Sequence, residues 1–176
     1  MNDLILMAML LDGPQHGYAL KKKVGLITGH REMHNNLVYP LLKRFVGRAW
    51  VHRRSADGQR GQTRELYALT PKGKLEFVRR LSDFDEKAAA SGEAFRFRVS
   101  LFPLVDPAMQ VTILDRREQW LTKRHENLLR IEDATGPRGW SAEVLDFTKG
   151  EIRAERKWVA RLRTRIHTRV AAKRKG

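Results

Sequence analysis

Hydrophobic positions near the start of the chain predict two helices that meet at a turn. The apolar run Leu4–Leu11 predicts a buried first helix, and the DGP sequence after it ends that helix because proline cannot continue it. Residues 17–27 carry apolar side chains mostly three or four residues apart, which predicts a second helix with Tyr18 and Leu20 facing the core. His16 lies directly before this helix, where it is placed to cap the helix or to contact a phosphate.

The pattern then changes to strands and returns to a helix. Apolar residues at helical spacing over 37–45 predict a third helix, in which Pro40 occupies the first turn or produces a kink. Extended runs at 50–54 and 63–69, separated by turn residues, predict a β-hairpin with a basic tip. The dipeptide Thr70–Pro71 predicts the cap and first residue of a further helix. Three helices followed by a hairpin is the order of a winged helix-turn-helix.

The second half of the chain is predicted to be mainly helical. Residues 93–103 alternate in a way that predicts a strand, although the segment is short enough to leave a helix open. Residues 107–133 and 141–170 predict two long helices whose apolar seams pack against each other or against a second copy of the chain. We therefore predict a mainly α fold with a small β-hairpin: a winged helix-turn-helix DNA-binding domain over 1–81, and a helical C-terminal dimerisation and effector region over 82–176 with a basic tail.

Charge is distributed unevenly along the chain. The 176 residues include 35 Lys and Arg against 20 Asp and Glu, a formal net charge of +15. Residues 1–81 and 149–176 each have a net charge of +9, whereas residues 82–148 have a net charge of −3. Two separate basic blocks favour a surface that docks on nucleic acid together with a basic tail. The block from Lys149 to Lys175 is either a solvated helix face or a further DNA contact.

Several function classes lose support from the sequence. Without cysteine, disulfides and thiolate metal sites are excluded, which fits a reducing cytosol. The apolar run near the N-terminus is far shorter than the roughly 20 residues that span a bilayer, so we expect no membrane partner and a cytoplasmic location. The histidines of HREMH (His30–His34) lack the glutamate spacing of a zinc site, and no nucleophile elbow or nucleotide-binding loop occurs. We predict no metal, no cofactor and no enzymatic activity.

Three motifs in order carry a family resemblance. GPQHGYALKKKV (13–24), VYPLLKRF (38–45) and LYALTPKGK (66–74) resemble the PadR family of bacterial transcriptional regulators, and the rest is more weakly similar to the helical region of its longer, virulence-activator-like members. The resemblance implies a homodimer that binds a pseudo-palindromic operator on double-stranded DNA and represses a nearby gene or operon, associated with the nucleoid when bound. It also implies that a small aromatic or planar effector can release the DNA.

The winged helix-turn-helix assignment places the third helix in the major groove and the wing on the DNA backbone or in the minor groove. Asn35 and Asn36 are predicted to read adenine or to cap the helix, and Tyr39 to face the groove or to pack against the first helix. The predicted DNA-binding residues are Lys21, Lys22, Lys23, Asn35, Asn36, Tyr39, Lys43, Arg44, Arg53, Arg54, Arg60 and Arg64.

Three tryptophans lie in the helical half: Trp120, Trp140 and Trp158. They are predicted to belong to the core and dimer interface, or to line a pocket for a flat effector. The sequence as a whole predicts a sequence-specific dimeric repressor, and the alternative is an architectural protein that binds nucleic acid with low specificity.

Overall fold

A computed structural model describes residues 2–20, 35–57 and 63–173, and divides the chain into two compact units, Met1–Asp83 (unit 1) and Phe84–Gly176 (unit 2). The elements of unit 1 are α1 (Asn2–Met9), β1 (Gln15–His16), α2 (beginning at residue 17 and described to residue 20), α3 (Asn35–Gly47), β2 (Val51–Asp57), β3 (Thr63–Leu69) and α4 (Pro71–Ser82). Those of unit 2 are α5 (Glu86–Ala90), α6 (Gly92–Ser100), a 3₁₀ turn (Phe102–Leu104), α7 (Pro107–Thr135) and α8 (Trp140–Lys173). The predicted fold class, mainly α with a small β element, is confirmed.

The core of unit 1 is built from the two apolar stripes that the sequence predicts. Leu6 and Met7 of α1 are fully buried, and so are Val38, Leu42 and Phe45 of α3. Burying several such side chains contributes on the order of 2 kcal/mol each, which is the main force that holds these short helices in place.

The sheet of unit 1 has three antiparallel strands in the order β1-β3-β2. The hairpin strands pair in register from Val51 opposite Leu69 to Asp57 opposite Thr63. The two-residue strand β1 adds His16 opposite Leu66 and was not predicted. A strand this short has no sequence pattern of its own, because its pairing depends on residues about fifty positions away.

Helix α4 begins where the sequence predicts. The Thr70 Oγ1 accepts a hydrogen bond from Gly73 N at 3.0 Å, and Pro71 occupies the first turn. The same hydroxyl donates to the carbonyl of Ala49 at 2.7 Å, which ties the start of α4 to the start of the hairpin. The predicted N-cap is therefore confirmed.

Helices α7 and α8 pack against each other along their predicted seams. The buried side chains of the two seams form one cluster: Leu114, Leu121, Leu128, Leu145, Ile152, Val159 and Ile166. Asp106 caps α7 by accepting a hydrogen bond from Met109 N at 2.8 Å, and Gly136 ends it in the left-handed conformation with φ 50°.

Of the two alternatives left open for residues 93–103, the helix is correct and the strand is wrong, because most of this segment forms helix α6 and the 3₁₀ turn. Ala94, Phe95, Arg98 and Phe102 are buried, and the spacing of one, three and four residues between them is helical. Ser91 caps the helix by accepting a hydrogen bond from Ala94 N at 3.2 Å. Four alternating residues are too few to separate a strand from a helix when burial and capping favour the helix.

Candidate nucleic-acid interface

Helix α3 separates its side chains into a buried and an exposed face. Val38 and Leu42 are fully buried, whereas Tyr39 is 49 % exposed and Lys43 is also exposed. Pro40 lies in the helix interior on the exposed side, so of the two alternatives predicted for it the first-turn position is wrong. The exposed face of α3 is therefore free to meet a partner while the other face holds the core.

The ring of Tyr39 rests on the start of α2 rather than on α1. A Cβ atom placed on Gly17 would lie 2.9 Å from Cε1 of Tyr39, so the absence of a side chain at Gly17 allows this contact. Gly17 therefore permits close packing between α2 and α3. The Tyr39 ring therefore packs against α2 while about half of the residue remains exposed.

The prediction that Tyr18 faces the core is wrong. Tyr18 is 74 % exposed, whereas Leu20 is fully buried as predicted. Two residues along a helix correspond to about 200° of rotation, so the two side chains cannot share one face. The spacing shows that the two residues lie on opposite faces, and the structure shows that Leu20 is the buried one.

A cleft of about 620 Å³ separates α2 and α3 from strand β3. Its walls combine aromatic, cationic and small side chains, and they bring together residues that are distant in sequence. The lining residues are His16, Gly17, Tyr18, Ala19, Tyr39, Arg64, Glu65 and Tyr67. Two predicted DNA-binding residues, Tyr39 and Arg64, therefore meet at one concave surface.

His16 connects β1 to the neighbouring strand through its side chain. Its Nδ1 lies 3.3 Å from the backbone carbonyl oxygen of Glu65, and because a carbonyl only accepts, Nδ1 is the donor. The contact satisfies a carbonyl on the edge of β3 just beyond the two residues that β1 pairs. His16 is thus a structural residue at the corner between β1 and α2.

Exposed arginines lie on both faces of the hairpin. Arg53 is opposite Tyr67 and forms an exposed ion pair with Glu65 at 3.4 Å, whereas Arg54 and Arg64 are exposed on the other face. Burial raises the pKa of Tyr67, Glu65 adds to the rise, and Arg53 opposes it. The Tyr67 phenol therefore remains protonated. Among the described residues of the hairpin, Arg54 and Arg64 have no carboxylate partner.

A carboxylate on α1 holds arginines from two other helices. Asp3 Oδ2 accepts hydrogen bonds from Arg44 of α3 at 2.5 Å and from Arg80 of α4 at 2.9 Å. On the same α4, the hydrogen bonds of Arg79, then those of Arg80, lower the pKa of Glu76 to about 2. Arg44, a predicted phosphate contact, is thus already paired, although its side chain is 45 % exposed.

Some predicted site residues fall outside what the structure describes. Lys21, Lys22, Lys23, Arg60 and the His30–His34 motif lie outside the described residues, and for Asn35 and Asn36 only the helical backbone is described. Within the described ranges, no group of three or more His, Asp or Glu residues is arranged to hold a metal ion. Likewise, none of the helices seen in those ranges is long and apolar enough to cross a membrane.

The three tryptophans of unit 2 do not meet at one place. Trp158 stacks edge-on against Phe95 at 5.6 Å, and Trp120 lies under the guanidinium of Arg117 at 4.6 Å. Arg117 also lies over Phe95 at 5.6 Å, so Trp120 and Trp158 flank one cluster. Trp140, at the start of α8, is 87 % exposed.

The prediction for Lys149 is wrong. It was grouped with a basic block that is either solvated or in contact with DNA, but its side chain is only 9 % exposed. Its Nζ donates to both carboxylate oxygens of Glu132, at 2.8 and 2.9 Å, and lies 2.9 Å from Asp146. Lys149 is therefore part of the packing between α7 and α8.

Comparison with known proteins finds a family match within unit 1. Residues 5–79 match the Transcriptional regulator PadR-like family, which confirms the resemblance over the part of the chain that carries the three motifs. No curated protein matches the chain.

Solved structures similar to the chain include three transcriptional regulators. PadR of Bacillus subtilis, solved in complex with operator DNA, is 14 % identical, with 93 % of this chain and 98 % of that chain covered and a TM-score of 0.46. A regulator from Clostridium thermocellum is 18 % identical, with 49 % and 84 % covered and a TM-score of 0.45. A PadR family regulator from Eggerthella lenta is 23 % identical, with 45 % and 70 % covered and a TM-score of 0.40.

Proposed function

We propose that this chain, a DNA-binding transcriptional regulator whose residues 5–79 belong to the PadR-like family, acts as a homodimeric repressor of a nearby gene or operon. Unit 1 is the DNA-binding domain, and unit 2 supplies the dimer contact. The proposed partner is a pseudo-palindromic operator, and the proposed location is the cytoplasm, at the nucleoid when bound. The family is one of DNA-binding regulators and not of enzymes, in agreement with the sequence prediction.

The observation that carries this proposal is the combination of α3 and the wing in one unit. Tyr39 and Lys43 project from the exposed face of α3, and Arg54 and Arg64 are exposed on the adjoining hairpin without a carboxylate partner among the described residues. A helix with a polar exposed face beside a cationic hairpin fits one groove of DNA and its flanking backbone.

Each predicted residue then has a role. Asn35, Asn36 and Tyr39 read base edges, because an asparagine amide pairs with adenine and a fixed phenol contacts a thymine methyl group or a phosphate. The remaining cations neutralise phosphates and set affinity rather than sequence preference. These are Lys21, Lys22, Lys23, Lys43, Arg44, Arg53, Arg54, Arg60 and Arg64.

Regulation by a small molecule is also part of the proposal. A flat effector binds near the cluster of Phe95, Arg117, Trp120 and Trp158, which offers aromatic faces in unit 2. Trp140 is 87 % exposed at the start of α8, and we assign it to the contact between copies. Titration of effectors should quench the fluorescence of Trp120 and Trp158, and Trp140→Phe should leave that quenching unchanged.

The experiment that tests the function is a footprint on the DNA upstream of the chain's own gene. We expect a discrete protected region with two half-sites one helical turn or a multiple apart. Arg54→Gln/Arg64→Gln should weaken binding to every sequence by about tenfold or more, because two phosphate contacts are lost. The matched control Lys72→Gln/Lys74→Gln removes the same charge from exposed positions of α4 and should bind as the unchanged protein does. Uniform, salt-labile protection without half-sites would support the low-specificity alternative instead.

A further inference from the structure

Helix α8 carries a row of exposed cations on the side opposite its apolar seam. The members of this outer row are all exposed and stand four residues apart: Arg153, Lys157, Arg161, Arg165 and Arg169. Four residues of helix advance about 6 Å along the axis and about 40° around it, so the row follows one gently winding ridge. Arg161, in the middle of the row, lies about 200° around the helix from the buried Val159.

Other cations of α8 face α7 and are neutralised there. The three pairs and their N···O distances are Lys149 with Glu132 (2.8 Å), Arg156 with Glu118 (2.7 Å) and Arg163 with Asp115 (2.5 Å). The packing of the two helices therefore accounts for these three cations. It does not account for the outer row, which has no ion pair among the described residues.

The outer row is unfavourable for the isolated helix. Like charges four residues apart repel one another, and this row repeats that spacing throughout its length. The segment from residue 149 to the end contains two acidic side chains, Glu151 and Glu155, and Glu155 already accepts hydrogen bonds from Arg117 at 2.7 and 3.0 Å. The helix dipole favours cations only in the last turn, so it offsets the repulsion at Arg169 and not at Arg153 to Arg165. A bound polyanion removes the repulsion along the whole row.

The neighbours of the row favour nucleic acid over a lipid surface. A helix that binds lipid inserts an apolar face beside its cations, but the apolar face of α8 is buried against α7. The exposed residues between the cations are small or polar, as at Ala154, Ala160 and Thr164. From Arg153 to Arg169 such a surface makes Coulombic contact with phosphates and offers no large exposed apolar side chain to a membrane. The large exposed apolar side chains of α8, which are Trp140, Val144 and Phe147, come before the row.

We propose that the outer row of α8 is a second DNA-binding surface, which contacts the phosphate backbone of double-stranded DNA without reading its sequence. This inference rests on the proposed function, because it adds an anchor to a protein that already binds DNA through unit 1. Three successive members of the row lie within about 80° around the helix, so about three phosphates are contacted at once.

The test measures how the affinity of the full chain for a duplex of mixed sequence depends on salt. The variant Lys157→Gln/Arg161→Gln/Arg165→Gln removes the middle of the row. Its slope of log affinity against log salt should be shallower by two to three, since each lost phosphate contact removes about 0.9. Its affinity at low salt should fall by about tenfold or more. The conservative variant Arg161→Lys/Arg165→Lys keeps the charge and should keep the slope.

A matched control removes the same charge elsewhere in unit 2. Arg124, Arg130 and Arg138 are also exposed, and their triple change to Gln should leave the slope as it is. An equal loss in this control would overturn the proposal, because the effect would then follow net charge and not the row. Sedimentation of the row variant should give the same mass as the unchanged chain. A lower mass together with the shallower slope would assign the row to the contact between copies and overturn the proposal.

The outcomes separate this inference from the proposed function. If Arg54→Gln/Arg64→Gln weakens DNA binding and the row variant does not, the second surface is wrong while the function of unit 1 stands. If the row variant weakens binding and no footprint with half-sites is found, the row stands and the repressor function is wrong. Binding of the row to anionic vesicles with unchanged DNA affinity would also overturn the proposal.

Discussion

The two units hold their arginines in different ways, and the difference separates structural charge from charge that is available to a partner. In unit 1, Asp3 serves two arginines, Arg44 and Arg80, whose side chains are 45 % and 26 % exposed. In unit 2, the side chain of Arg117 is 4 % exposed and pairs with the carboxylate of Glu155 at an N···O distance of 2.7 Å. Where two exposed arginines share one carboxylate, part of their positive charge remains available to a partner. Where a buried arginine has a carboxylate of its own, no such charge remains.

This comparison changes the interpretation of the formal charge of +15. The block at 149–176 matches the block at 1–81 in net charge, yet Lys149, Arg156 and Arg163 are used inside unit 2. A basic block in a sequence is therefore an upper limit on a binding surface. Which cations remain available depends on partners that lie far away along the chain.

The largest expected effect concerns the packing of unit 1. Gly73→Ala would place a Cβ atom 1.9 Å from the carbonyl oxygen of Trp50 and 3.0 Å from Leu69 Cδ2. Because that carbonyl also accepts from Thr70 N at 2.9 Å, it cannot move without loosening the hairpin from α4. We expect a loss of about 3 kcal/mol or more in the free energy of unfolding of unit 1, measured by hydrogen exchange. Gly47→Ala, which meets nothing within 4 Å, is the control and should change little.

The next effect tests the seam of unit 2. Glu155→Ala leaves the Arg117 guanidinium buried with the carbonyl of Ala89, at 2.5 Å, as its one remaining hydrogen-bond partner among the described residues. An uncompensated buried charge costs about 3 kcal/mol, and we expect this loss in urea denaturation followed by Trp120 and Trp158 fluorescence. Substituting the exposed Arg153 by Ala should stay within about 0.5 kcal/mol. A cost for Glu155→Ala as small as that of Arg153→Ala would show that the seam pair is not structural.

The equivalent change in unit 1 should be milder. Asp3→Asn weakens the contacts to Arg44 and Arg80, but both guanidiniums are partly exposed and can turn to water. We expect a cost of about 2 kcal/mol from the lost charge-assisted hydrogen bonds. If Arg44 contacts phosphate as proposed, the same variant should bind DNA more tightly, because Arg44 no longer has to leave a carboxylate. Weaker DNA binding by the folded variant would count against a phosphate role for Arg44.

The features that the sequence predicts correctly are those determined by residues close to one another along the chain. The Thr70 cap and the seams of α7 and α8 are fixed by neighbours within a few residues, and both were predicted. The contact of His16 with Glu65 spans 49 positions and that of Arg44 with Asp3 spans 41, and no local pattern indicates them. Tyr18 was misassigned because helical spacing was applied without choosing between two residues on opposite faces. The candidate cations could be named from the sequence, but not which of them are already paired.

A smaller effect is the pH dependence of unit 1. Hydrogen bonds from Arg79 and then Arg80 lower the pKa of Glu76 from about 4.5 to about 2. A carboxylate whose pKa is lower in the folded state stabilises the fold above its unfolded pKa, and this stability is lost as the pH falls from about 4.5 towards 2. Solvent screening limits the contribution to about 1 kcal/mol. Glu76→Gln should remove this part of the acid dependence, and an unchanged acid profile in denaturation experiments would contradict the assignment.

The smallest expected effect is a gain in unit 2, and it contrasts with the loss at Gly73. Gly150 lies inside α8 beside the seam residue Lys149, yet a Cβ atom there would meet nothing within 4 Å. Alanine loses less conformational freedom than glycine when a helix forms, so Gly150→Ala should stabilise unit 2 by about 0.5–1 kcal/mol. Slower hydrogen exchange in α8 and unchanged exchange in unit 1 would be the result. A loss of stability would contradict this prediction. It would mean that another group packs against Gly150 of α8 when the protein is in solution.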